Sequence, residues 1–172
     1  MTYKMKELDI DNWARKDHYN FFKNFEEPFF GVTVNIDCTS AYDHSKENGF
    51  SFFLYYLYQS LKAANRLESF KYRIIDEKVI VCDVVNAAAT IYRQNETFGF
   101  SNIDYFEDFS LFEKDAKEEI DRVQNSNRLM LAASKENVIH YSTLPWINFT
   151  SFSHARSFSF PDSCPKISFG KM

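Results

Sequence analysis

Thirty-one of the 172 residues carry an aromatic ring (19 Phe, 10 Tyr and 2 Trp), against only four glycines and four prolines. Each ring buries on the order of 150–250 Å² when it packs, so the chain must build a deep apolar interior with few sharp turns. Its length suits one domain, which at this size removes roughly two-thirds or more of the unfolded surface from water. Hydrophobic residues at 45% and charged residues at 26% are ordinary for a globular protein and exclude disorder.

Charge and cysteine usage remove whole function classes. A net charge of −4 and a pI near 5.6 do not supply the basic stripe of a general nucleic-acid binder. The longest apolar run, Phe52 to Tyr58, is far short of the ~20 residues of a membrane span. The opening MTYKMKELDIDNW is charged and has no apolar middle, so it does not read as a signal peptide and the expected location is cytoplasmic. Cys38, Cys82 and Cys164 are too few and too scattered for a disulfide framework or a CxxC centre. No His-x-x-x-His spacing is present, and no metal is expected.

The pattern along the chain predicts an undivided α/β domain. A helix is expected from Asp11, as its cap, to Phe25, with Trp13, Phe21, Phe22 and Phe25 on one face and Pro28 beyond its end. Phe30, Val32, Val34 and Ile36 then alternate with Gly31, Thr33, Asn35 and Asp37, which predicts a strand with one buried face. Ser51 is placed to cap a second helix from Phe52 to Leu67, apolar almost all round its first turns. Tyr72 to Ile75 and Val79 to Cys82 flank Asp76-Glu77-Lys78 as a hairpin. Strands are expected at Ala87–Arg93, Thr97–Ser101, Val138–Thr143, Arg156–Phe160 and Lys166–Gly170. A third helix begins at Phe109, where Phe112, Ala116, Ile120 and Val123 recur at three- and four-residue spacings. Strands mixed with three helices suggest a two-layer sandwich: a mixed sheet with helices packed against it. The last strand runs straight into Met172, so the expectation is a single domain over 1–172 lacking its C-terminal segment.

Four histidines, His18, His44, His140 and His154, are the candidate bases. His140 and His154 stand near Ser142, Ser151 and Ser153, but no G-x-S-x-G elbow accompanies them. The aromatic pairs serve equally as core or as the wall of a pocket for an apolar small molecule. The segment Tyr141 to Phe152 is the most distinctive. Pro145 fixes its own φ and biases Leu144 towards extended geometry, leaving Ser142 and Thr143 where a strand meets a stiff loop. A hydroxyl so placed either satisfies the backbone of a turn or faces a developing oxyanion.

Ser142-Thr-Leu-Pro-Trp-Ile-Asn-Phe149 resembles the Ser-x-Leu-Pro-Trp-x-x-Phe segment of chloramphenicol acetyltransferases. Asn12-Trp13-Ala-Arg15 with His18 and Phe22, Glu96-Thr97-Phe98, and Pro165-Lys-Ile-Ser168 agree with that family in order and spacing. The resemblance implies a homotrimer of α/β subunits with active sites at subunit interfaces, transferring acetyl from acetyl-CoA to a hydroxyl of chloramphenicol. A histidine of the family deprotonates the acceptor, which attacks the thioester directly. The motif serine, which hydrogen-bonds the tetrahedral intermediate, falls on Ser142. A second site hydroxyl, holding a water, falls on Ser168. Aromatic residues that hold the small aromatic alcohol fall on Phe22, Phe98 and Phe152, and Lys171 falls near the CoA phosphate.

Two departures accompany the resemblance. The family's base lies in a His-His-x-x-x-Asp-Gly motif downstream of Ser168, and no such motif occurs in these 172 residues. Arg15 matches an arginine that pairs with the Asp of that motif, and so is expected to be a structural residue at the site without its partner. Phe22 replaces a tyrosine whose hydroxyl contacts the antibiotic. Three readings follow: an acetyltransferase whose histidine lies beyond Met172, a non-catalytic small-molecule-binding or interaction homologue, or a chain in which His154 or His140 substitutes as base.

Overall fold

The computed structural model of the chain describes residues 3–129, 136–155, 159 and 162–171. In chain order the elements are β1 (Met5–Glu7), α1 (Lys16–Phe22), α2 (Thr39–Glu47), α3 (Phe52–Arg66), a 3-10 turn (Glu68–Lys71), β2 (Tyr72–Ile75), β3 (Lys78–Cys82), β4 (Asn86–Tyr92), β5 (Phe98–Phe100), α4 (Phe109–Gln124), β6 (Val138–Thr143) and β7 (Lys166–Phe169). They form a three-stranded antiparallel sheet, β1-β3-β2, and a four-stranded mixed sheet, β5-β4-β6-β7. The mixed α/β class expected from the sequence is the class observed.

Local chemistry starts the main elements where the sequence places them. Ser51 sits in extended geometry and its hydroxyl accepts from the Leu54 N–H at 3.4 Å, opening α3. Asp108 does the same for α4, accepting from the Leu111 N–H at 3.0 Å. Asp76 and Glu77 both take positive φ, 48° and 63°, the geometry of a type I′ turn that matches strand twist and closes the β2–β3 hairpin. Because β4 is joined to β6 in parallel, the chain must cross over between them, and α4 lies in that crossover.

Helices α3 and α4 cover one face of the mixed sheet. Leu54, Leu57, Tyr58, Leu61 and Ala64 of α3 and Phe112, Ala116 and Val123 of α4 are buried with Ala87, Ala89 and Ile91 of β4 and Ile139 and Tyr141 of β6. Full burial of each large side chain contributes roughly 1.5–3 kcal/mol. Two buried arginines brace this layer using carbonyl partners. Arg73 of β2 donates to the carbonyls of Glu136 (2.6 Å), Phe70 (2.9 Å), Tyr72 (2.6 Å) and Val138 (2.7 Å), tying the antiparallel sheet to the start of β6. Arg93 donates to the carbonyls of Val123, Phe98 and Arg128. A Cβ on Gly99 would stand 2.6 Å from Val123 Cγ1 and also meet the Arg93 guanidinium, which explains why the central residue of β5 is glycine.

Several expectations are corrected. The first helix spans Lys16–Phe22 rather than Asp11–Phe25, and its N-cap is Arg15, without a side-chain cap. Asp11 instead pairs with Lys16 Nζ at 2.6 Å. Residues 30–36 form no strand: Phe30, Val32, Val34 and Ile36 are 92%, 80%, 69% and 75% exposed, and no strand among the described residues pairs with them. Alternation there satisfies a strand pattern, but a strand needs a ladder partner to bury its face. The described residues hold four α-helices rather than three, because Thr39–Glu47 is helical, and β1 is a further short strand. Apart from Ser159, the strand expected at 156–160 lies outside the described residues.

Candidate active site

The register of β6 with β7 decides the site. The two strands are parallel, with His140 opposite Lys166, Tyr141 opposite Ile167, Ser142 opposite Ser168 and Thr143 opposite Phe169. Side chains alternate between faces, and Ile139, Tyr141, Ile167 and Phe169 belong to the helix-covered core. Tyr141 stacks on Phe169 with centroids 6.0 Å apart, and burial pushes its hydroxyl up to about 12. The opposite face therefore carries His140, Ser142, Lys166 and Ser168 as adjoining polar pairs, all half-buried.

Ser142 has the stiff support that the Leu-Pro-Trp sequence predicts. The Leu144 N–H donates to the Phe169 carbonyl at 2.8 Å, the Ile147 N–H to Leu144 at 3.0 Å, and the Lys171 N–H to Ile147 at 2.7 Å. The loop is thus stitched to the end of β7. Gly170 permits the closeness, since a Cβ there would come within 3.0 Å of the Phe149 ring and 3.1 Å of the Ile147 carbonyl. The neighbouring Thr143 receives a long hydrogen bond, 3.4 Å, from the Tyr56 hydroxyl on the core side.

His154 joins this face through Ser168. Its Nε2 lies 3.0 Å from Ser168 Oγ, and its ring meets Phe152 edge-on at 4.7 Å, with Phe149 5.4 Å beyond Phe152. The serine partner is therefore Ser168 and not the sequence neighbours Ser142, Ser151 or Ser153. Burial holds the His154 imidazole below the usual histidine range, and Lys166 adds to the effect. Burial lowers His140 as well, with Asp162 opposing the shift. Both rings are consequently neutral near pH 7, the form that accepts a proton.

The remaining expected residues fall into two groups. Phe152 stands beside His154 at the face, as just described. Phe98 pairs with Tyr92 at the far end of β5, 48% exposed, and its ring meets Phe100 at 5.5 Å. Phe22 is also about half exposed at the end of α1, and its ring contacts are to Phe21 at 4.9 Å and Phe25 at 5.2 Å. Arg15 is exposed at the start of α1, and the Lys171 side chain is exposed beside β7. Lys166 and Asp162, an ion pair next to His140, are the charged groups that sequence reading missed. The two stand four residues apart in the chain, but their place beside His140 follows from the β6–β7 register. No described helix is long and apolar enough to cross a membrane.

Residues 1–157 match the family described as chloramphenicol acetyltransferase. A chloramphenicol acetyltransferase of Proteus mirabilis is 30% identical over 147 residues, covering 85% of this chain and 68% of its own length. Chloramphenicol acetyltransferase 3 of Escherichia coli is 28% identical over 148 residues, covering 85% and 70%. A solved chloramphenicol acetyltransferase superposes with a TM-score of 0.88 at 31% identity, over 98% of this chain and 82% of that one. Fold and matches together define an acyltransferase of mixed α/β architecture. The chain belongs to the chloramphenicol acetyltransferase family.

Proposed function

We propose that this chain is the core of an acetyl-CoA-dependent O-acetyltransferase whose acceptor is a hydroxyl of chloramphenicol or a similar small aromatic alcohol, so that it inactivates such an antibiotic. The observation that carries the reading is Ser142, half-buried near the end of β6 just before a loop bound to β7, with its family motif intact around it. The acceptor hydroxyl loses its proton to a neutral imidazole and attacks the thioester carbon. The Ser142 hydroxyl donates to the oxyanion that forms, and CoA leaves as the thiol after taking up the proton. A positioned base contributes about 10²–10⁴ in rate, and a fixed oxyanion donor a further 10² to 10³ or so. Holding both substrates together removes much of the entropic barrier.

The base is assigned to the family's His-His-x-x-x-Asp-Gly motif, on polypeptide outside these 172 residues. The coverage supports this, since the chain spans 68% of the Proteus mirabilis relative. Arg15 is then free to meet its expected carboxylate there. His154 is read as a positioning residue that orients Ser168. The active unit is read as a cytoplasmic homotrimer with sites between subunits, the exposed segment 30–36 supplying apolar contact surface. In this reading Phe22, Phe98 and Phe152 hold the acceptor's ring, and Lys171 faces the CoA phosphate.

Thiol release in the presence of acetyl-CoA and chloramphenicol tests the reading, using both the 172-residue chain and the full product of its gene. Release by the full product alone is expected. Aromatic-ligand binding without turnover by either would favour the non-catalytic homologue. Release by the 172-residue chain that is lost in His154→Ala would move the base to His154.

A further inference from the structure

His140 lies on β6, while Asp162 and Cys164 lie on the segment leading into β7. The fold brings one imidazole nitrogen, one carboxylate oxygen and one sulfur from them within 4.8 Å of one another. Main-chain bonds hold the three in place. The His140 N–H donates to the Pro165 carbonyl at 3.0 Å, and the Cys164 N–H to Asp162 Oδ1 at 2.9 Å. The Ile74 N–H donates to Ser163 Oγ at 2.8 Å, anchoring the same segment to the hairpin. Ligand atoms supported in this way need little rearrangement to converge.

We propose that His140, Asp162 and Cys164 form a three-ligand site for a divalent transition-metal ion, with Zn²⁺ the best fit. Nitrogen, oxygen and sulfur donors together suit a borderline-soft cation, and three protein ligands leave a fourth position for water or another ligand. Tetrahedral bonds of about 2.0–2.3 Å give ligand–ligand edges of roughly 3.3–3.8 Å, so the donors close by about 1 Å on binding. His140 is already neutral, as a ligand must be. Burial raises the Cys164 thiol while nearby Arg73 opposes it. On binding the sulfur gives its proton to solvent and bonds the metal as thiolate. The Lys166 ammonium, now paired with Asp162, yields its place to the ion and turns to solvent. Glu136 O lies 3.6 Å from Cys164 Sγ as its present acceptor.

Titration of the metal-free chain with Co²⁺, followed by absorption, tests the proposal. One equivalent is expected to produce tetrahedral d–d bands and a thiolate-to-cobalt charge-transfer band, both removed by Zn²⁺. Cys164→Ser should lose the charge-transfer band and Cys38→Ser should retain it, while His140→Asn and Asp162→Asn each weaken binding at least tenfold. Absence of the band in the parent chain, or its survival in Cys164→Ser, overturns the site. Should a variant fail to fold, alkylation of the parent chain decides: Zn²⁺ is expected to slow modification of Cys164 at least tenfold and leave Cys38 unchanged, and equal rates at Cys164 with and without Zn²⁺ overturn it.

Discussion

Ser142 shows how little of a residue's role lies in its own identity. In the proposed reaction its hydroxyl is held still because the Leu144, Ile147 and Lys171 amides fasten the following loop to β7. On the proposed mechanism, Ser142→Ala removes a donor that matters most when the oxyanion exists. In the active enzyme proposed above, kcat is therefore expected to fall about 10²- to 10³-fold with KM little changed, as steady-state thiol release would show. His140 carries a separate, pH-linked effect. Burial places its folded-state pKa below the unfolded value of about 6.5, with Asp162 raising it and Lys166, Arg73 and His154 lowering it. A depressed histidine pKa means that the unfolded chain binds protons more readily. The stabilisation from a neutral His140 is thus complete above the unfolded pKa and is lost as pH falls through that value towards the folded one. Thermal unfolding of His140→Asn should depend less steeply on pH between pH 7 and 5 than that of the parent chain. Of the candidate site residues, Ser142 stands out in the sequence because its motif is contiguous. The His154–Ser168 pair was not, because their contact arises from chain return and not from local spacing.

Elements were readable where one local rule governed them. Helix α3 begins at Ser51 and α4 at Asp108 because a side-chain oxygen meets an otherwise unpaired amide, and both helices bury a continuous apolar face. The hairpin was readable from three polar residues between two β-branched runs. Its turn keeps two non-glycine residues at positive φ, a conformation that costs roughly 1 kcal/mol or more for an L side chain. Glu77→Gly is expected to raise stability by about 0.5–1 kcal/mol, measured by urea denaturation, because the released strain exceeds the entropy glycine adds to the unfolded chain. Helix α2 escaped notice because its residues are mostly polar. It is fixed from outside: Asp37 Oδ1 accepts from the Thr39 N–H at 2.9 Å and the Thr39 hydroxyl at 2.7 Å, and Tyr42 packs edge-on against Phe52 at 5.2 Å. The shorter α1 reflects the opposite case. Asp11 was a plausible cap, but its carboxylate is drawn into the pair with Lys16 one turn later.

At the scale of the molecule, the row Phe30, Val32, Val34 and Ile36 is an alternating apolar stretch that the chain by itself leaves exposed. Its first ring neighbour, Phe29, has the Lys166 ammonium 5.3 Å over its face, so the segment begins at the β6–β7 site. In the proposed trimer this row is covered by another subunit. Sedimentation velocity should find the parent chain as an oligomer and Val34→Lys as a folded monomer; a monomeric parent chain would count against the assembly. Composition, caps, periodicity and the Leu-Pro-Trp motif were enough to determine an aromatic-rich α/β domain and to single out Ser142, because each acts over a few residues of contiguous chain. Only the tertiary structure decided that residues 30–36 have no strand partner among the described residues, that Ser142 faces Ser168, and that His140, Asp162 and Cys164 converge. Those outcomes depend on the register between β6 and β7 and on where the chain returns, which packing across the whole domain sets and no local pattern encodes.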